Sequence, residues 1–280
     1  MAPSFMCDGP VKHTAPAGDY SPASRVSSLA IPKNAKESTE AGCNSVGANG
    51  GTGLAGLLTF VGDLNEFVKE KDGSYELLLL AHMTDWAPNT AASSHKLQLL
   101  VGEYKDSKFL IDLDSFVDKD KDKGIKLEFD ATVDECNVTT KTGTFTLEIA
   151  VTDGLSIPLE LTATTIKGML SADDKGFSLA DTSISGYLSS EAVVNIVRGL
   201  KAACDGDDPP SLCDSAAAIL SKPEEDVVKT ILTLIKKYDT NLEGGTPKEC
   251  DPKTEGACNA VSVCLTIGSE PVTISGLSDD

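Results

Sequence analysis

Between residues 125 and 161 apolar and polar side chains alternate with few breaks. In IKLEFDATV, Ile125, Leu127, Phe129, Ala131 and Val133 fall on one side of an extended chain, and Lys126, Glu128, Asp130 and Thr132 on the other. TFTLEIAV repeats the scheme with Phe145, Leu147, Ile149 and Val151, and LSIPLELTA with Leu155, Ile157, Leu159 and Leu161. A two-residue period predicts antiparallel strands with one buried and one wetted face. The links KTG, TDG and ADDKG supply Gly and Asp where tight hairpins need left-handed backbone. YELLLLAHM, HKLQLLVGEY and KFLIDLD extend the sheet upstream. Pro158 has no N–H for a ladder hydrogen bond, so its strand is expected at an edge or a bulge.

Elsewhere the period lengthens. Leu54, Leu57, Leu58, Val61, Leu64 and Val68 recur at three- and four-residue spacing up to Gly73, which predicts an amphipathic entry helix. Three more helices are predicted between residues 189 and 239: Ser190 caps the first, Ser211 and Asp214 box the second, and Ser221 and Glu224 box the third around Pro223. AVSVCLTIG and EPVTISGL then return to strand. The expected fold is α+β, mainly β: an antiparallel β-sandwich or strongly curved sheet with an N-terminal amphipathic helix and a three-helix insertion before the C-terminal strands. The chain divides into an extended leader or tether (1–53), a β domain with its entry helix (54–188), a disulfide-tied helical insertion (189–243), and a linker with C-terminal strands that rejoin the β domain (244–280).

Charge removes one function class. Over 280 residues, 43 acidic side chains against 24 basic ones give a formal net charge of −19, which repels nucleic acid and leaves no basic stripe for phosphate. Eight cysteines, without a CxxC pair or a Cys/His cluster at zinc spacing, predict disulfides rather than a metal site. Cys204 with Cys213 and Cys250 with Cys258 each bracket a short loop and are the proposed pairs. Cys264 competes with Cys258 for a partner, and Cys7, Cys43 and Cys136 remain for longer bridges. Disulfides imply export, so the expected location is extracellular or at the cell surface, whether periplasmic or outer-membrane-associated. MAPSFMCDGP lacks the pattern of a signal sequence, so the chain is expected to be a mature form. No run approaches 18 apolar residues, so no transmembrane segment is expected.

Candidate chemistry is sparse. His82 and His95 bracket MTDWAPNTAASS; if the flanking strands form a hairpin, the two could face each other with Asp85 nearby as a ligand, metal or proton-transfer site. Trp86, with Tyr104, is a candidate stacking platform for a sugar, the alternative being a plug at one end of the core. Asp118, Asp120 and Asp122 alternate in DKDKDKG as candidate calcium ligands, although Lys119, Lys121 and Lys123 offset their charge. Counted from Asp118, Lys123 takes the sixth position and Phe129 the twelfth, which excludes an EF-hand. GxSxG and HExxH are both missing, so no catalytic residue is assigned and no cofactor other than calcium is expected. Asn137 heads an NVT glycosylation sequon.

The order DGSYELLLLAHM, DATVDECNVTTKTGTFTLEI and IPLELTATTIKGMLSADDKGFSLADTSISGYLSSEAVVNIV, followed by a cysteine-tied helical region, resembles uncharacterised surface lipoproteins of myxobacterium-like bacteria over most of residues 54–276. The resemblance implies an envelope-associated protein and brings no activity with it. The expected function is non-catalytic: a structural role, or binding to other envelope or extracellular proteins, self-association included. The alternatives are a carbohydrate- or calcium-binding β-sandwich module and a hydrolase with no recognisable motif.

Overall fold

The computed structural model describes residues 20–57, 63–86, 93–152, 155–206, 209 and 212–278. Its strands are β1 (Ala23–Ala30), β2 (Glu70–Lys71), β3 (Ser74–Tyr75), β4 (Leu79–Met83), β5 (Ser93–Lys105), β6 (Lys108–Ile111), β7 (Leu127–Asp134) and β8 (Asn137–Thr140). Then come β9 (Gly143–Thr152), β10 (Leu155–Asp173), β11 (Gly176–Ser189), β12 (Thr240–Glu243), β13 (Thr246–Glu249), β14 (Ala260–Val272) and β15 (Ile274–Leu277). The α-helices are α1 (Ala35–Glu40), α2 (Asn65–Val68), α3 (Ser190–Cys204), α4 (Leu212–Leu220) and α5 (Glu224–Leu234).

Eight strands close into an antiparallel barrel in the order β1, β4, β5, β7, β8, β10, β11, β14, with β14 pairing back onto β1. This overturns the expected sandwich or curved sheet with an entry helix and a three-helix insertion: the architecture is a closed barrel with extra strands and few helices. The physical reason lies in β1. Alternating strands look the same whether their apolar faces meet across two sheets or curl around one axis, and closure depends on a strand hydrogen-bonded on both sides. Residues 23–30, within the stretch expected to be a leader, supply it. They pair with Thr266–Val272 of β14 on one side and with Leu80–His82 of β4 on the other.

The entry helix is also corrected. The described part of residues 54–72 holds one 3-10 turn at Ala55–Leu57 and the single turn of α2; Leu58 and Val61 lie outside the described residues. Gly53 and Gly56 weaken any helix through this stretch, and Asp63 Oδ1 accepts the N–H of Asn65 at 2.9 Å to start the chain afresh. Leu54, Leu64 and Val68 are buried all the same, so for the described residues the apolar spacing marks burial.

Inside the barrel the predicted alternation holds. Phe129, Ala131 and Val133 of β7 point inward and are buried, while Glu128, Asp130 and Thr132 point outward and are exposed. Pro158 pairs with Glu148 of β9 on a stretch of β10 that lies before its pairing with β11 begins at Thr162, so it sits where β10 has a neighbour on one side. One barrel end is shut by Trp86, which meets Phe177 edge-on at 5.8 Å between ring centroids. A second, outer cluster lies on the other side of β4 and β5. There Leu78, Leu80, Leu100, Ile111, Phe116 and Val272 are covered by β6, β15 and the rings of Tyr104 and Phe109. Helix α3 packs on β10 and β11, and α5 packs on α3 and α4.

A strap crosses the outside of β11 and β14. Cys43 is bonded to Cys264, Gly53 N donates to Ser262 O at 3.0 Å, and Cys264 N donates to Gly51 O at 2.7 Å. Buried Asp239 anchors it: its carboxylate accepts from Asn49 N at 2.6 Å, Ser262 N at 2.7 Å and Ser262 Oγ at 2.6 Å. Three such bonds offset the cost of taking a charge out of water. The proposed pairs Cys204–Cys213 and Cys250–Cys258 are both formed, Cys136 is disulfide-bonded as well, and no described cysteine is free. Such bridges form and persist outside the reducing cytosol. Among the described residues no helix is long and apolar enough to cross a membrane.

Replacing Phe177, which is fully buried, with Ala removes the partner of the only tryptophan. The expected loss is about 3–5 kcal/mol of unfolding free energy in urea, with a red shift of Trp86 emission in the folded state. Lys253→Ala, in an exposed loop, should stay within about 0.5 kcal/mol of the parent.

Candidate functional site

Among the described residues, the barrel end opposite Trp86 is open. The strands that bound it explain why. β4 has five residues and pairs with β1 only across Ala23–Arg25, after which the two strands part. Residues from α2 fill part of the gap: Leu29 N donates to Asn65 Oδ1 at 3.0 Å, and Arg25 Nη1 donates to Val68 O at 3.2 Å. Arg25 is held in turn by Glu270, with Nε at 3.1 Å from its Oε1, and stacks 4.9 Å over the Tyr75 ring. Across the barrel, β9 begins at Gly143, where a Cβ would lie 2.8 Å from the Phe129 ring. Glycine lets β9 press onto that ring and carries Phe145 to the edge of the opening.

These elements enclose a cavity of about 730 Å³. Its wall is aliphatic and aromatic: Val26 and Leu29 from β1, Leu79 from β4, Leu99 from β5, Leu127 from β7, Phe145 from β9, Ile184 from β11, and Leu265 and Ile267 from β14. Among the described residues its charged lining side chains, Glu76, Asp114, Lys119 and Lys126, are all exposed and so form a rim. The cavity was not legible in the sequence, since its wall is drawn from seven strands. Its one local signal was the inward set Leu127, Phe129 and Phe145 beside a glycine.

The DKDKDKG stretch forms part of that rim. Phe116 and Ile125 make an isolated antiparallel bridge, and Val117 N donates to Gly124 O at 3.0 Å, closing a loop whose Lys119 lines the cavity. Asp118 Oδ2 accepts from Lys123 Nζ at 3.0 Å, Asp120 Oδ1 accepts the N–H of Asp122 at 3.0 Å, and Asp114 pairs with Lys119 at 2.7 Å. Among the described residues, no group of three or more His, Cys, Asp or Glu side chains is placed to hold a metal ion.

Trp86 is 3% exposed and packs within the core, while Tyr104 meets Tyr75 edge-on and Phe109 at a tilt over the outer cluster. His82 and His95 lie on a true hairpin, but its register pairs His82 with Gln98 and Met83 with Leu97. The two histidines therefore project to opposite faces. His95 Nδ1 lies 2.9 Å from Thr84 O, and Asp85, with φ of 54°, sits in the turn. His82 instead heads a polar chain over the outer face. Its Nδ1 is 2.9 Å from Gln98 Oε1, Gln98 Nε2 donates to Glu128 Oε2 at 2.8 Å, and Lys96 joins Glu128 at 3.1 Å to Asp130 at 2.7 Å. The Gln98 amide, aided by Lys96, holds the Glu128 carboxyl below its ordinary range.

Burial pushes the His82 imidazole below its usual 6.5, against the opposing hydrogen bond from Gln98. The unfolded chain therefore takes up a proton near pH 6.5 that the folded chain refuses. Stability should fall as pH drops through that value and show no His82-dependent slope above it. Glu128 acts in a separate, more acidic window, below its ordinary 4.5. The measurement is the slope of Tm between pH 7.5 and 5.5, and His82→Gln should flatten it whatever its effect on Tm itself. Compared with known proteins, the chain matches no family model, no curated protein sequence and no solved structure.

Proposed function

We propose that the protein is an exported, non-catalytic binding protein that takes a small apolar molecule into the open end of its barrel. The observation that carries this reading is the cavity of about 730 Å³ whose described lining has an aliphatic and aromatic wall and charges confined to the rim. Ligand pockets commonly enclose roughly 300–1,000 Å³ and combine apolar walls with a few polar groups. Eight strands give a barrel interior that side chains either fill or leave open for one small ligand. Here Trp86 and Phe177 fill one end, and the parting of β1 from β4 opens the other.

Burying a methylene group yields about 0.8 kcal/mol. A ten-carbon chain that enters over most of its length therefore binds with a Kd on the order of tens of micromolar. The strap and the disulfides support a rigid wall, which lowers the cost of ordering the site when a ligand arrives. The outward positions of β7 and β5, with Lys96, Glu128 and Asp130, carry charges that suit contact with water rather than lipid.

The test is a fluorescence titration with the neutral dye N-phenyl-1-naphthylamine, displaced by decanol. The dye should brighten on binding with a single site per chain. Leu127→Trp, which places an indole at the mouth, should weaken binding at least tenfold while leaving Tm within a few degrees. No brightening, or equal binding by the folded Leu127→Trp variant, would sink the proposal.

A further inference from the structure

We infer that the molecule held in the barrel is an amphiphile whose anionic head sits at Lys126, with its alkyl portion inside the cavity. This inference rests on the cavity being a ligand site. It comes from the charge balance at the rim. Glu76 Oε1 is paired with Lys71 Nζ at 3.4 Å, and Asp114 Oδ1 with Lys119 Nζ at 2.7 Å, so both rim carboxylates are matched. Lys126 also lines the cavity and forms no ion pair among the described residues. Of the two rim lysines, Lys119 is matched by Asp114, which leaves the Lys126 ammonium as the positive charge at the mouth without a carboxylate partner among the described residues.

Its placement suits a head group. Lys126 N donates to Ser115 O at 2.9 Å, which fixes the backbone immediately before Leu127, and Leu127 belongs to the apolar wall. A ligand whose chain packs against Leu127 therefore ends beside the lysine. Thr144 and Thr146 also line the mouth and add hydroxyl donors for an oxyanion. The head remains in contact with water, so binding it incurs little desolvation, and the ammonium contributes selectivity more than affinity. For one exposed ion pair the expected preference over a neutral head is roughly threefold. A cationic head would bring a second positive charge against Lys126 and bind more weakly than the alcohol.

The experiment is isothermal titration of the full chain at pH 8 with decanoate and decyltrimethylammonium below their micelle-forming concentrations and decanol below its solubility limit, in the parent and in Lys126→Gln. The parent should bind decanoate about threefold more tightly than decanol, with the cation weakest. In Lys126→Gln the preference for decanoate over decanol should vanish, and in the parent 0.5 M salt should shrink it. Equal affinities for decanoate and decanol in the parent, or a preference that survives in Lys126→Gln, would overturn the head-group assignment and leave the apolar cavity standing. If none of the three compounds binds, the cavity reading fails and the assignment falls with it.

Discussion

The structure depends on one strand being hydrogen-bonded on both sides. β1 carries the ladder of β14 along most of its length and that of β4 over three residues, and this double pairing turns a row of eight strands into a closed wall. Without it, β4 and β14 would each present a free edge, and the inward residues of β7, β11 and β14 would face water. The unequal lengths of its two ladders have a second consequence. Where β1 leaves β4 the ladder stops, and α2 meets β1 instead through Asn65 Oδ1 and the Val68 carbonyl. Closure and opening thus come from the same strand.

The remaining polar interactions serve that closure. The strap from residue 42 to 54 lies over β11 and β14, fixed by Cys43–Cys264 and by the hydrogen bonds that Asp239 accepts. Cross-linking residues 221 apart in sequence restricts the unfolded chain strongly in the chain-entropy account. The bridge therefore favours the long-range pairing on which the barrel relies, and it requires an oxidising compartment. On the opposite side, the chain from His82 through Gln98 and Glu128 to Lys96 ties β4, β5 and β7 together across their outer faces.

Local features were well marked in the sequence. The alternation in IKLEFDATV gave the faces of β7 correctly, Pro158 marked a one-sided stretch of β10, and the spacings of Cys204–Cys213 and Cys250–Cys258 matched real bridges. Features that depend on distant pairing were not marked. Ala23–Ala30 lies among Pro, Ser and Gly residues and has too few apolar positions to show a period, yet it closes the barrel. The spacing of Leu54, Leu64 and Val68 resembled a helix because each residue is buried, although they reach the core from a turn and a single helical turn. The cavity was hidden for the same reason, as Val26, Leu99, Leu127 and Leu265 become neighbours only after closure. The acidic DKDKDKG run drew notice for its own charges, whereas its place in the structure is at the mouth, where its Lys119 answers Asp114.

Native-state amide hydrogen exchange at residues 23–30 tests closure most directly. A strand laddered on both sides exchanges only when the barrel opens, so the amides of Arg25 and Val26 should be protected to nearly the same degree as those of Val263 and Leu265 in β14. Exchange of residues 23–30 at rates near those of an unstructured peptide, with β14 still protected, would contradict the closed barrel.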